Sequence, residues 1–189
     1  MKTAIVSVVF AGILLSGSFN SGYGAQIGGH HYPNKVTAGS TSLELTGVAL
    51  LRYWGFKAYT GAFYIESGAA AEDALSDKAK RLELKYYRSI EGEDFGKAVN
   101  KILARNLESE KLQRLKPKID YHNGLYQDVK PGDRYSLTYI PGQGTQLALN
   151  GTPIDTIEGA EFAAAIFSIW LGENPISLDF KRTILGLDT

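Results

Sequence analysis

The sequence predicts an α+β fold in which antiparallel strands carry helices on one face. Three observations lead there. Residues 43–53, 56–66 and 80–90 are long runs with the aromatic and aliphatic content of strands. The hydrophobic period then becomes helical over residues 95–107. It returns to two at residues 134–157, where turn residues punctuate a meander. Alternating βα units are absent, so a doubly wound parallel sheet is not expected.

Each element has its own signal. Residues 26–42 are rich in Gly, His, Pro, Ser and Thr and read as an exposed segment with a short strand at 35–37. The strands at 43–53 and 56–66 meet at the bend Trp54-Gly55-Phe56. Residues 69–75 form a short alanine-rich helix. In the third strand, 80–90, Leu82, Leu84 and Tyr86 share a face. Phe95, Ala98, Val99, Ile102, Leu103 and Leu107 form one helical stripe, and Glu91, Glu93 and Asp94 crowd its first turn, where carboxylates favour the helix dipole. Leu112, Leu115, Ile119, His122 and Tyr126 extend the helical pattern, with an interruption expected at Pro117. Tyr135, Leu137 and Tyr139 share one face of the strand at 134–140. The turn Pro141-Gly142-Gln143-Gly144 and the hairpin signal Asn150-Gly151 separate it from strands at 145–149 and 152–157. A helix at 159–172 places Phe162, Ala165, Ile166, Ile169 and Trp170 on one face, with Gly172 closing it and Pro175 beyond. Residues 176–187 form a last short helix.

Composition narrows the function. The chain has 189 residues, 20 Lys+Arg against 20 Asp+Glu, and no cysteine. The balanced charge gives no footprint for nucleic acid or an anionic surface in the net count. Disulfides, thiol catalysis, thiolate metal sites and thiol-linked lipidation are excluded. Lys2, the apolar run 4–15 and the small, polar residues 16–25 make the pattern of a secretory leader, too short to span a bilayer, with cleavage near Gly24 or Ala25. The expected division is a signal peptide, 1–25, and a single domain, 26–189. The product is then periplasmic or secreted. A domain of that size buries roughly two-thirds of its unfolded surface.

Few motifs carry chemistry. Gly142-Gln143-Gly144 lies between two strands rather than before a helix, so it is a turn and not a phosphate loop. His30-His31 is a loop pair with too few ligands for a metal site. No serine sits on a strand-to-helix elbow, and the acidic cluster 91–94 belongs to a helix end. No catalytic residue, metal or cofactor is assigned. Residues 47–66 stand out, because Arg52, Tyr53, Lys57, Tyr59 and Tyr64 are set into an otherwise apolar ribbon. A guanidinium holds a carboxylate through two parallel hydrogen bonds, and a tyrosine hydroxyl supplies a third. Arg52, Tyr59 and Tyr64 are therefore candidate ligand-binding residues, joined by Tyr121 and His122 on the second helix. The competing reading places Arg52 in solvent and packs the tyrosines into the core.

These residues also carry a resemblance. The run Lys57-Ala58-Tyr59-Thr60-Gly61-Ala62-Phe63-Tyr64-Ile65-Glu66 resembles the lysine–aromatic–small–tyrosine–aliphatic–acid strand of the chalcone isomerase-like family. Tyr86-Tyr87-Arg88-Ser89-Ile90 followed by Phe95 is similar to its next strand and helix entry. Pro131-Gly132-Asp133, Tyr139-Ile140-Pro141-Gly142, Leu149-Asn150-Gly151 and Ile169-Trp170-Leu171-Gly172 resemble its bacterial, exported branch. The likeness runs over residues 43–187. It implies an open-faced β-sandwich, a large antiparallel sheet covered on one side by helices, with a ligand cleft between the layers.

The resemblance does not imply isomerase activity. The plant enzymes close a chalcone ring with an arginine, a strand threonine, a helical tyrosine and asparagine, and a late-helix hydroxyl. Here Tyr59 stands at the threonine position and Ile169 at the late hydroxyl. Tyr121 and Asn123 have the helical pair's residue types in another order. The arginine position falls on Leu51, one residue before Arg52, and a one-residue shift along a strand reverses the face unless a bulge intervenes. Fatty-acid-binding members pair an arginine with a tyrosine at the Tyr59 position. The resemblance thus implies an exported, non-catalytic binding protein for a small amphipathic ligand such as a fatty acid. An intramolecular lyase acting on chalcones, a haem binder as among mitochondrial relatives, and a structural envelope protein are the alternatives.

Overall fold

The structure, a computed structural model, describes residues 24–187. The expected leader therefore lies outside the described residues, apart from its last two positions. Seven strands form one antiparallel sheet: β3 (Lys35–Ala38), β4 (Thr41–Tyr53), β5 (Phe56–Glu66), β6 (Lys80–Tyr86), β7 (Arg134–Ile140), β8 (Gly144–Leu149) and β9 (Thr152–Ile157). Their order across the sheet is their order in the chain. Four helices, α1 (Gly92–Asn106), α2 (Ser109–Gly124), α3 (Ala160–Leu171) and α4 (Leu178–Ile184), complete the α+β architecture.

Alternation sorts each strand's side chains between two faces. Tyr59, Phe63 and Ile65 of β5, Leu82, Leu84 and Tyr86 of β6, and Tyr135, Leu137 and Tyr139 of β7 belong to the core under the helices. Ala62 and Tyr64 point the other way, into a smaller cluster with Tyr32, Ala38, Leu43 and Ala79.

That smaller cluster changes the reading of residues 26–42. They form a hairpin, β1 (Ala25–Ile27) paired with β2 (His30–Tyr32), followed by β3 on the sheet edge. Tyr32 is fully buried, and its hydroxyl is 2.8 Å from Thr60 Oγ1. The polar composition concealed one aromatic anchor that covers part of the second face.

Other elements depart from expectation in smaller ways. The third strand ends at Tyr86 rather than at residue 90. The alanine-rich turn Ala71–Leu75 is a 3-10 helix. Helix α2 runs through Pro117 without a break. Proline removes one donor, but Gln113 and Pro117 are both exposed, so water can satisfy the freed carbonyl. Helix α3 is buried nearly all round rather than along one stripe, as its apolar sequence requires when sheet and helices enclose it. Helix α4 lies directly on β4. A Cβ on Gly47 would stand 2.7 Å from the Thr183 carbonyl, so only glycine permits this approach.

Candidate functional site

A cavity of about 150 Å³ lies between the sheet and helices α1 and α3. Strand alternation brings Tyr59, Leu84, Tyr86 and Tyr135 to its floor, and the stripes of α1 and α3 supply Val99, Ile102, Ile169 and Trp170. Its lining is almost wholly apolar.

Tyr59 is the polar centre of this space. Trp170 Nε1 donates to its hydroxyl oxygen over 3.0 Å. The Tyr59 proton is left to donate onward. Edge-on contacts with Tyr86 and Phe180, each 5.6 Å between centroids, hold the ring. Tyr86, Phe95, Tyr126 and Tyr135 continue an aromatic cluster along the lining, and Phe95 stacks on Tyr126 at 4.9 Å. Burial pushes the hydroxyls of Tyr59, Tyr86 and Tyr126 up. They remain neutral donors at ordinary pH and are not phenolate bases. Tyr135 is otherwise engaged: its hydroxyl donates to the Gln127 carbonyl and accepts from the Gln127 amide.

The predicted site residues separate. Tyr59 lines the cavity. Arg52 does not: it is exposed, and Nη1 donates to the Gly55 carbonyl at 3.3 Å. A bulge does occur, because Leu51 faces Tyr59 while Arg52 faces Lys57, leaving Ala58 as the extra residue. It nevertheless leaves the arginine outside, and Leu51 takes the place beside Tyr59. Tyr64 is buried on the opposite face of the sheet, where its hydroxyl has no partner among the described residues. Tyr121 is exposed and donates to Asp155 on β9. His122 is fully buried against Tyr126 and Phe162, at centroid distances of 4.9 and 5.6 Å, outside the cavity lining. Neither of its ring nitrogens makes a hydrogen bond of normal geometry. Burial pushes its imidazole down to about 4, against a smaller opposing effect of the Asn123 side chain.

Sequence reasoning missed Tyr126 and the Tyr59–Trp170 bond as parts of the site. Tyr86 and Tyr135 were placed on the correct strand faces but given no role. Strand alternation from Tyr59 was the available signal for those two; the bond across 111 positions left none.

The chemistry available is limited to packing and neutral hydrogen bonding. The lining contains no lysine, arginine or histidine. Its single carboxylate, Asp94, is paired with Lys97 at 2.9 Å on the exposed first turn of α1. Among the described residues no cluster of His, Asp and Glu could hold a metal. A haem does not fit, because the space suits a benzene-sized molecule.

An antiparallel sheet covered by helices, with an apolar cavity between the layers, is a fold that can enclose a small molecule. The chain belongs to the chalcone isomerase-like family, whose sequence model matches residues 24–186. A crystal structure of a fatty-acid binding protein from Arabidopsis thaliana is similar, with a TM-score of 0.62 and 16% identity over 83% of this chain and 92% of that one. At that identity the likeness concerns the fold. No curated protein matches the sequence.

Proposed function

We propose that this protein is an exported, non-catalytic binding protein of the chalcone isomerase-like family, from its bacterial, exported branch. Its ligand is a small amphipathic molecule of the fatty-acid class, held in the Tyr59 cavity. One observation carries this reading: an apolar space of about 150 Å³ is lined by aliphatic and tyrosine side chains and by no cation or free base. The family membership and the fatty-acid-binding neighbour support it. The Lys2 charge, the apolar run 4–15 and the small residues before Ala25 support export to the periplasm or beyond.

The cavity sharpens the ligand. A space of this size accepts benzene in an engineered apolar core, so it accommodates a short acyl chain or one end of a longer one. Without Arg52, a buried carboxylate would face only neutral donors, and burial favours its uncharged form. A fatty alcohol or methyl ester should therefore compete as well as the free acid of equal length. Native mass spectrometry of the protein purified from its host should show a co-purified lipid. Tyr59→Phe should lose it, whereas Arg52→Ala should retain it. An empty protein that turns over chalcones faster than buffer would replace this reading with an intramolecular lyase.

A further inference from the structure

Strands β4 and β5 are joined by a two-residue loop, Trp54-Gly55, with both residues at positive φ (52° and 79°). Both positive values match a type I′ hairpin turn, where Asn-Gly is the preferred pair. A bulky side chain is unfavourable in that conformation. Here the tryptophan gains no burial in exchange, because it is 84% exposed. Its neighbours Tyr53 and Phe56 are 68% and 60% exposed. Three large aromatics thus project from four consecutive positions, on a ribbon whose other apolar side chains are mostly buried.

The tip is also basic. Arg52 and Lys57 flank the aromatics, and the Arg88 guanidinium lies 4.6 Å from the Phe56 ring centroid. None of the three forms an ion pair among the described residues. Asp179 is the only carboxylate beside the groove that Arg52 lines. A zero net charge over the whole chain therefore conceals a local cationic collar.

We propose that this hairpin tip docks the protein on an anionic lipid bilayer. Tyr53, Trp54 and Phe56 enter the boundary between headgroups and acyl chains, where the polar edges of tyrosine and tryptophan are favoured and Phe56 adds apolar area. Arg52, Lys57 and Arg88 face the lipid phosphates. The position adds to the argument. Arg88 touches Phe56, and two residues later Ile90 lines the cavity. Ile176, which also lines the cavity, is itself 36% exposed beside the still more exposed Leu178. Docking at the tip brings this rim toward the bilayer, so an apolar molecule can pass between cavity and lipid with a shortened path through water. The docking itself does not depend on which ligand the cavity takes.

Tryptophan fluorescence of the full-length chain tests the proposal locally. Trp54 is exposed and Trp170 is buried against Tyr59. Adding vesicles of mixed phosphatidylglycerol and phosphatidylcholine should shift Trp54 emission to the blue, and brominated acyl chains should quench it. Trp54→Phe should remove that signal while vesicles still sediment the protein. The double variant Trp54→Ser/Phe56→Ser should weaken vesicle affinity at least tenfold, on the order expected for losing two interfacial rings. Arg52→Gln, Lys57→Gln and Arg88→Gln should each weaken it about fivefold. Unquenched Trp54 emission on vesicles overturns the proposal, even if another part of the chain holds the protein there. So does a lipid-independent blue shift that grows with protein concentration, which assigns the tip to a second copy. Equal binding to pure phosphatidylcholine overturns the role of the three cations.

Discussion

His122 shows how a residue can be buried in the right layer and still lie outside the site. Its imidazole is pushed down to about 4, while an unfolded histidine titrates near 6.5. Above pH 6.5 it is neutral in both states and has no effect on the balance. As pH falls below 6.5 the unfolded chain takes up the proton and the folded chain resists until about pH 4. Stability is therefore lost across that window, by about 3 kcal/mol from this residue. Replacing it with an apolar residue, His122→Leu, should flatten the dependence of the melting temperature on pH between 6.5 and 4, with little effect at pH 7. Tyr59 works in the opposite way, because its hydroxyl satisfies a buried donor. Tyr59→Phe should cost about 1–3 kcal/mol in chemical denaturation, since Trp170 would keep a buried N–H without an acceptor. The burial of Tyr59 follows from its place in an apolar strand, whereas its candidacy as a ligand contact rests on the family resemblance. For Arg52 the sequence leaves clamp and solvent as competing readings, because a bulge is set by backbone pairing, and residues 51–59 carry no composition signal for it.

At the scale of elements, the turn at Trp54-Gly55 is the least favourable piece of local structure. A left-handed conformation costs an ordinary side chain about 1–2 kcal/mol, and asparagine tolerates it better. Trp54→Asn should raise the melting temperature by a few degrees, as about 1 kcal/mol does in a chain of this size, while removing the exposed ring. Lys80 presents the reverse case. It is fully buried at the start of β6, with Nζ donating to the carbonyls of Ala74 at 3.0 Å and Ser76 at 2.5 Å. Desolvation pushes its ammonium down to about 8, against the pull of Asp77, Asp73 and Glu66. Lys80→Met should lower stability by about 1–3 kcal/mol by leaving two carbonyls without their donor, and proteolysis should then reach the turn at 71–76 first. Strand and helix types were readable from period, and strands 134–140 and 152–157 agree to the residue. Pro117 and the hairpin at 25–32 were not: solvent rescued one, and Tyr32 and Tyr87 anchored the other.

For the molecule as a whole, the α+β class and the helical cover followed from period changes along the chain. The cavity could not be read that way, because its walls come from strands and helices far apart in sequence. The wiring of those walls has a mechanical meaning. Strands β6 and β7 are adjacent in the sheet, yet α1 and α2 are inserted between them. The insertion leaves and returns through one narrow neck. There Ile90 and Val129 exchange backbone hydrogen bonds of 3.0 and 2.9 Å, and the Gly92 amide donates to Asp128. Detaching the helix pair as a unit would break no rung of the seven-stranded ladder. Hydrogen exchange should accordingly show α1 and α2 opening together at a lower free energy than β5–β7, and a bound ligand should slow that opening selectively. The sheet and α3 are then a permanent frame, and the α1 side of the roof belongs to a flap clasped at the wrist by two backbone bonds.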